Sequence, residues 1–317
     1  MWRLNRGRAA QDERGATAVM VALVMVLLLG FCAISIDVAA LYSARQKLQV
    51  GADAAALAIA KDCAAGDCGT DASRRATADH YARANSDPSS SGRVIQLFSN
   101  RVEVEASATT EHWFAPALGF NSKLVTTKAS AEWGLPVAGR AILPLAIGEC
   151  EWNVATHGGT ISKTDITKIT VHVPAQKDNR CPTETASGSG YMPGGFGWLP
   201  EEGDCSVATE IGVWIPSRGG KPSSCPEKFS KYLNQPVLIP IFKEYQGSPV
   251  KAYLISGFAA FSMTGYWFNG SQWGGKIECN PSDSCIQGYF LGFVAGRDWE
   301  LGTTGNDYGA HVVRLTM

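Results

Sequence analysis

The sequence carries almost no net charge, −1 from 28 basic and 29 acidic side chains, and its charges form no long run of one sign. Without a basic face there is no electrostatic footprint for nucleic acid, and that class of partner is set aside. No Cys-x-x-Cys, His-x-x-x-His or His-Glu-x-x-His occurs, so the spacings that hold zinc are missing. Gly-x-Ser-x-Gly is absent as well. The short Gly-Ser-Gly at Gly188 to Gly190 lies among turn residues, and Gly194-Gly195-x-Gly197 lacks the strand-to-helix setting of a nucleotide loop. The carboxylates show no pattern that singles out an acid–base pair. The sequence therefore assigns no catalytic, cofactor-binding or metal-ligating residue, and it reads as a non-enzyme with no cofactor and no small-molecule substrate.

What is present begins with a stretch free of charge. Gly15 to Ile36 runs 22 residues without a charged side chain, and at about 1.5 Å of rise per residue it spans roughly 33 Å, enough to cross a hydrocarbon core of about 30 Å. It is longer than the apolar region of a cleaved secretory signal, about 7–15 residues, and no small-x-small cleavage site closes it cleanly. Arg3, Arg6, Arg8 and Arg14 precede the run against Asp12 and Glu13, whereas Asp37 comes first on the far side. The positive-inside rule then puts residues 1–15 in the cytoplasm, 16–36 across the inner membrane in a single pass, and the bulk outside. Of the nine cysteines, Cys32 lies within the run. The other eight come after it, an even set that fits an oxidising compartment: Cys63, Cys68, Cys150, Cys181, Cys205, Cys225, Cys279 and Cys285. Cys63–Cys68 and Cys279–Cys285 are close enough for local bridges, which leaves Cys150, Cys181, Cys205 and Cys225 to pair among themselves.

Beyond Asp37 no proline interrupts the helix, and its pattern becomes amphipathic, with Val38, Leu41, Leu48, Ala52, Ala55 and Ile59 at helical spacings. A polar helix is expected over Ala72 to Asn85. A hairpin comes next, from Val94–Phe98 across Ser99-Asn100 to the alternation of Val102, Val104, Ala106 and Ala108, with a third strand from Leu124 to Trp133. His112 to Phe120, holding Trp113, Phe114 and Pro116, is an apolar connection. Leu135-Pro136 through Gly139 reads as a hinge, so the exported part divides into 37–138, a helix packed on a small antiparallel sheet, and 139–317, a mainly β, disulfide-bonded domain. The fold class is α+β. Ala252 to Phe268 lacks charge, but Ser256, Gly257, Ser262, Thr264 and Gly265 make it two buried strands rather than a second span.

Arg14-Gly15-Ala16, the apolar run, Ile36-Asp37-Val38, Leu41-Tyr42, Arg45-Gln46, Leu48-Gln49 and the GADAAALA stretch from Gly51 to Ala58 together resemble the N-terminal region of the TadE/TadG-like proteins of Flp (tight-adherence, Tad) pilus assembly. The WFAPALG segment and the strand ending at Ala131-Glu132 are similar to the region after that anchor in TadG-like members. The resemblance implies an envelope component of a pilus or secretion machine that acts by contacts with other assembly proteins. Gly51, Ala52, Ala55 and Ile59 are the helix-packing candidates, since small side chains let another backbone approach. That face is open either to a partner or to the chain's own sheet. Type IV-like pilins, whose leader also ends in Gly, carry a Glu five residues later that takes part in polymerisation, where this chain has Met20. The leader is accordingly expected to stay on, in a subunit that does not polymerise. Trp198, Trp214, Tyr266, Trp267, Phe268 and Trp273 leave a second reading, a glycan-binding or adhesive surface on a membrane stalk.

Overall fold

The computed structural model describes residues 9–159, 161, 169–173, 184–185, 188–189, 196–202, 205–218, 225, 229–247, 251–268, 271–273, 284–295 and 298–316. The chain starts with α1 (Ala9–Ala64) and α2 (Asp71–Asn85), then β1 (Ser91–Leu97), β2 (Arg101–Glu111), a 3₁₀ turn at Ala115–Leu118 and β3 (Ser122–Ala141). Next come β4 (Leu145–Gly148), α3 (Glu149–Ala155), β5 (Ile169–Val173), β6 (Glu184–Thr185), β7 (Gly188–Ser189) and β8 (Phe196–Trp198). The remainder is β9 (Val207–Glu210), β10 (Trp214–Pro216), β11 (Pro236–Gln246), β12 (Ala252–Phe268), β13 (Ser271–Trp273), β14 (Ser284–Leu291), β15 (Phe293–Ala295), β16 (Trp299–Gly302) and β17 (His311–Thr316). The class is mixed α+β.

Helix α1 is 56 residues long, roughly 84 Å at helical rise. It is the one helix among the described residues that is long and apolar enough to cross a membrane. From Val19 to Ile36 its large apolar side chains are 48–68% exposed, uncovered by the described residues. An apolar surface of that extent is not left to water, and single-pass anchoring accounts for it. Further along, Leu48, Ala52, Ala55, Ala56, Ile59 and Ala60 are buried. They pack on Val102, Val104, Ala106, Ala129, Ala131 and Trp133 from one face of the sheet and on Ala78 and Ala82 of α2. Helix α2 starts where Thr70 and Ser73 form a reciprocal cap, each side-chain oxygen accepting the other's backbone N–H.

The first sheet has the order β1-β2-β3-β17-β15, with β16 and β9 also paired to β3. The β1–β2 hairpin turns at Ser99-Asn100, where the sequence places it. The expected hinge is instead continuous strand. β3 runs 20 residues, through Leu135 to Gly139, pairing with β2, then β17, then β16 and β9. The C-terminal strand thus returns to the first sheet, and a division at 138/139 passes through β3. The breaker-rich composition that suggests a hinge has a packing cause: a Cβ on Gly139 would lie 2.6 Å from the Trp299 ring stacked over it.

The second sheet has the order β5-β14-β12-β11-β4-β8, with β10 and β13 on β12. Ala252 to Phe268 is one 17-residue strand rather than two, its register slipping between Met263 and Gly265 instead of breaking. It lacks charge because both faces are covered. Phe258 and Ala260 enter the core shared with Ala141, Val207, Trp299 and Val312. Ala259, Phe261 and Met263 point the other way, to a core with Ile239, Ile241, Trp152 and Phe290.

Candidate functional site at the anchor junction

The junction between the exposed part of α1 and the first sheet is built around one carboxylate. Asp37, the first charged residue after the apolar run, is 5% exposed. Its Oδ1 accepts the backbone N–H of Trp113 at 2.7 Å, its Oδ2 that of Ala115 at 2.7 Å, and the Phe114 N–H is shared between the two oxygens at 3.3 and 3.2 Å. Three successive amides opening a helical turn form a concave anion site, and the chain fills it with its own side chain. Burial pushes the Asp37 carboxyl up, but the three N–H groups, helped by the field of His112, outweigh it and hold it below the usual carboxylate value. A second tie lies further along: Gln49 Nε2 donates to the Lys128 carbonyl at 3.1 Å and to Asp53 Oδ1 at 2.8 Å. The helix is therefore fixed to the sheet at two heights, with the apolar face between and beyond them.

Residues 15–65 match the family model for putative Flp pilus-assembly TadE/G-like proteins. The Tad-like segment holds the exposed apolar stretch, Asp37, Gln49 and the small-residue face in one helix. No curated protein and no solved structure matches the chain.

Gly51, Ala52, Ala55 and Ile59 are all buried within the chain. Gly51 abuts the Tyr81 carbonyl and Ala82 of α2, while the other three belong to the cluster that α1 forms with the sheet. Cys63 is bonded to Cys68 and Cys205 to Cys225; Cys150 and Cys285 are in disulfides too. Cys181 and Cys279 lie outside the described residues. Cys32 is free and exposed. The ligating atoms of Glu201, Cys205 and Cys225 lie within 4.8 Å of one another, but the two sulfurs are bonded to each other and offer no thiolate to a metal.

Of the aromatics in the adhesive reading, two are interior, and Trp198 and Trp267 are half-buried. Tyr266 and Phe268 are buried, stacked at 5.1 Å, and Trp198 stacks on Phe229 at 6.1 Å. Trp214 is exposed, and the side chain of Trp273 lies outside the described part of the chain.

Sequence reasoning misses the role of Asp37 and of the loop it holds. The signal is available in two places: an acid directly after a long uncharged run, and an aromatic loop between two alternating strands, too apolar for an ordinary connection.

Proposed function

We propose that this chain is a membrane-anchored, non-polymerising structural component of Flp/Tad-type pilus assembly or secretion. It sits in the inner membrane with the N-terminal arm in the cytoplasm and the two sheets outside, and it works through contacts with other envelope proteins rather than by catalysis. The observation that carries this reading is the family match over residues 15–65. That stretch is also the one whose second half packs on the first sheet. The arginines before residue 15 support the orientation, and the disulfides support an oxidising compartment. Met20, standing where a polymerising pilin has its Glu, supports a retained leader. A buried unpaired acid in lipid is costly, so it is kept only where a neighbouring subunit compensates it.

A membrane-impermeant protease applied to spheroplasts tests the placement: residues beyond Asp37 should be digested, and their full protection would reject it. N-terminal sequencing of the membrane-derived protein tests processing, since a start at Ala16 would restore the pilin-like alternative.

A further inference from the structure

The end of the β2–β3 hairpin carries an apolar surface that the fold leaves open. Trp113 is 78% exposed, Leu118 72%, Phe120 67% and Leu124 62%, all in or beside the loop that Asp37 holds. Their height relative to the apolar run is fixed by the two ties. From Gln49 back to Asp37 the helix covers about 18 Å, and from Lys128 back to Ser122 the strand covers about 20 Å, so helix and hairpin run side by side and end level. The loop therefore sits at the first charged residue after the run, where a spanning helix leaves the hydrocarbon.

We infer that this hairpin end, Trp113, Phe114, Leu118 and Phe120, dips into the interfacial layer of the bilayer beside its own anchor. The proposal rests on reading Gly15 to Ile36 as a span. Its occupant is lipid, because the patch is continuous with the lipid-facing helix and has the composition of an interfacial belt. Tyr42, 65% exposed, follows little more than a turn beyond Asp37, about 7.5 Å further from the run. Exposed Lys123 stands next to the loop, where an ammonium group meets lipid phosphates.

A second feature fits the loop to a medium poor in water: most of its backbone donors already have a partner within the chain. The N–H groups of Trp113, Phe114 and Ala115 go to Asp37. Those of Ala117, Gly119 and Phe120 go to carbonyls of the same turn, that of His112 goes to Asn121, and Pro116 has none. Unsatisfied amides are what keep irregular backbone out of lipid. The Asp37 clamp thus closes the loop for insertion and sets its depth.

Nitroxide labelling of the full-length chain in phosphatidylcholine/phosphatidylglycerol vesicles tests this. In a Cys32→Ser background, labels are placed without reductant by Trp113→Cys, Phe120→Cys, Val26→Cys in the span and Asn100→Cys at the opposite end of the hairpin. Collisions with an aqueous nickel chelate should be reduced at 113 and 120, between those at 100 and the near-absence at 26, with oxygen collisions retained. If 113 and 120 collide with nickel as freely as 100 while 26 is shielded, the hairpin proposal fails and the anchor stands. Loss of both nickel and oxygen collisions at 113 and 120 would mean a second copy covers the loop, which also overturns it. Free nickel access at 26 would remove the anchor reading and this proposal together.

Discussion

Gly51 is where two opposing effects can be weighed. On helix propensity alone, Gly51→Ala should stabilise α1 by about 1 kcal/mol. The structure reverses that sign, because a Cβ at this position comes 2.9 Å from the Tyr81 carbonyl oxygen and 3.1 Å from the Ala82 Cα. Both are backbone atoms of α2. The carbonyl also accepts from Asn85 Nδ2 at 2.9 Å, so it cannot swing aside without cost. Forcing an extra carbon into a packed interface costs about 1–3 kcal/mol. The two terms leave Gly51→Ala neutral to about 2 kcal/mol destabilising for the α1–α2 contact, and Gly51→Leu, with three further carbons, lies at the upper end or above it. The readout is hydrogen exchange across residues 71–85 of the full chain. A loss of about 1–2 kcal/mol there speeds exchange roughly 5- to 30-fold. Gly30→Ala is the control, since a Cβ there meets nothing within 4 Å, and it should leave α2 unchanged. Unchanged or slower exchange in Gly51→Leu would refute the reasoning. It would mean that α2 does not cover this position, and would return Gly51 to the pool of partner contacts.

Asp37→Ala should speed exchange at the Trp113, Phe114 and Ala115 amides, and unaltered protection would show that the clamp is not formed. Because the folded pKa of Asp37 lies below its ordinary value of 3.8, the clamp's contribution should be complete above that value and lost as pH falls through the lower folded one; protection already declining at neutral pH would contradict this. Tyr308→Phe removes the hydroxyl that lies 2.6 Å from Ser256 Oγ and donates to Glu149 Oε1 at 2.8 Å, and should cost about 1–3 kcal/mol in chemical denaturation. Burial pushes the Tyr308 phenol up to about 12, so its share of stability should persist below the ordinary 10.0 and fall as pH rises from there to about 12. Serine at Cys63 and Cys68, which close a loop of sequence separation 5, should cost about 2 kcal/mol on the chain-entropy account. The same change at Cys205 and Cys225, separation 20, should cost about 3 kcal/mol. An inverted order would argue against that account.

The elements legible in the sequence are those whose periodicity one partner imposes. β2 shows alternating Val and Ala because one face meets α1 and the other does not, and the charge-free run of α1 shows because none of the described residues covers it. β12 reads as two strands in the sequence because burial on both faces removes alternation, leaving Gly257 and Gly265 as the visible punctuation. β3 reads as interrupted at Leu135–Gly139 for a related reason: small and proline residues there accommodate Trp299 and β16, contacts that arise about 160 residues later and leave no local mark. The junction is half legible. Asp37 stands among the residues that carry the family resemblance, but the role of its carboxylate depends on three amides of a loop more than seventy residues away, and hydrogen-bond acceptance by a side chain has no sequence period.

The central claim, that this is an anchored component of Flp/Tad-type assembly that works through contacts with other envelope proteins, is tested most directly by crosslinking the full-length chain in intact membranes and identifying the crosslinked proteins by mass spectrometry. The account predicts Flp/Tad assembly proteins among the products. Membrane insertion without any such partner would contradict it.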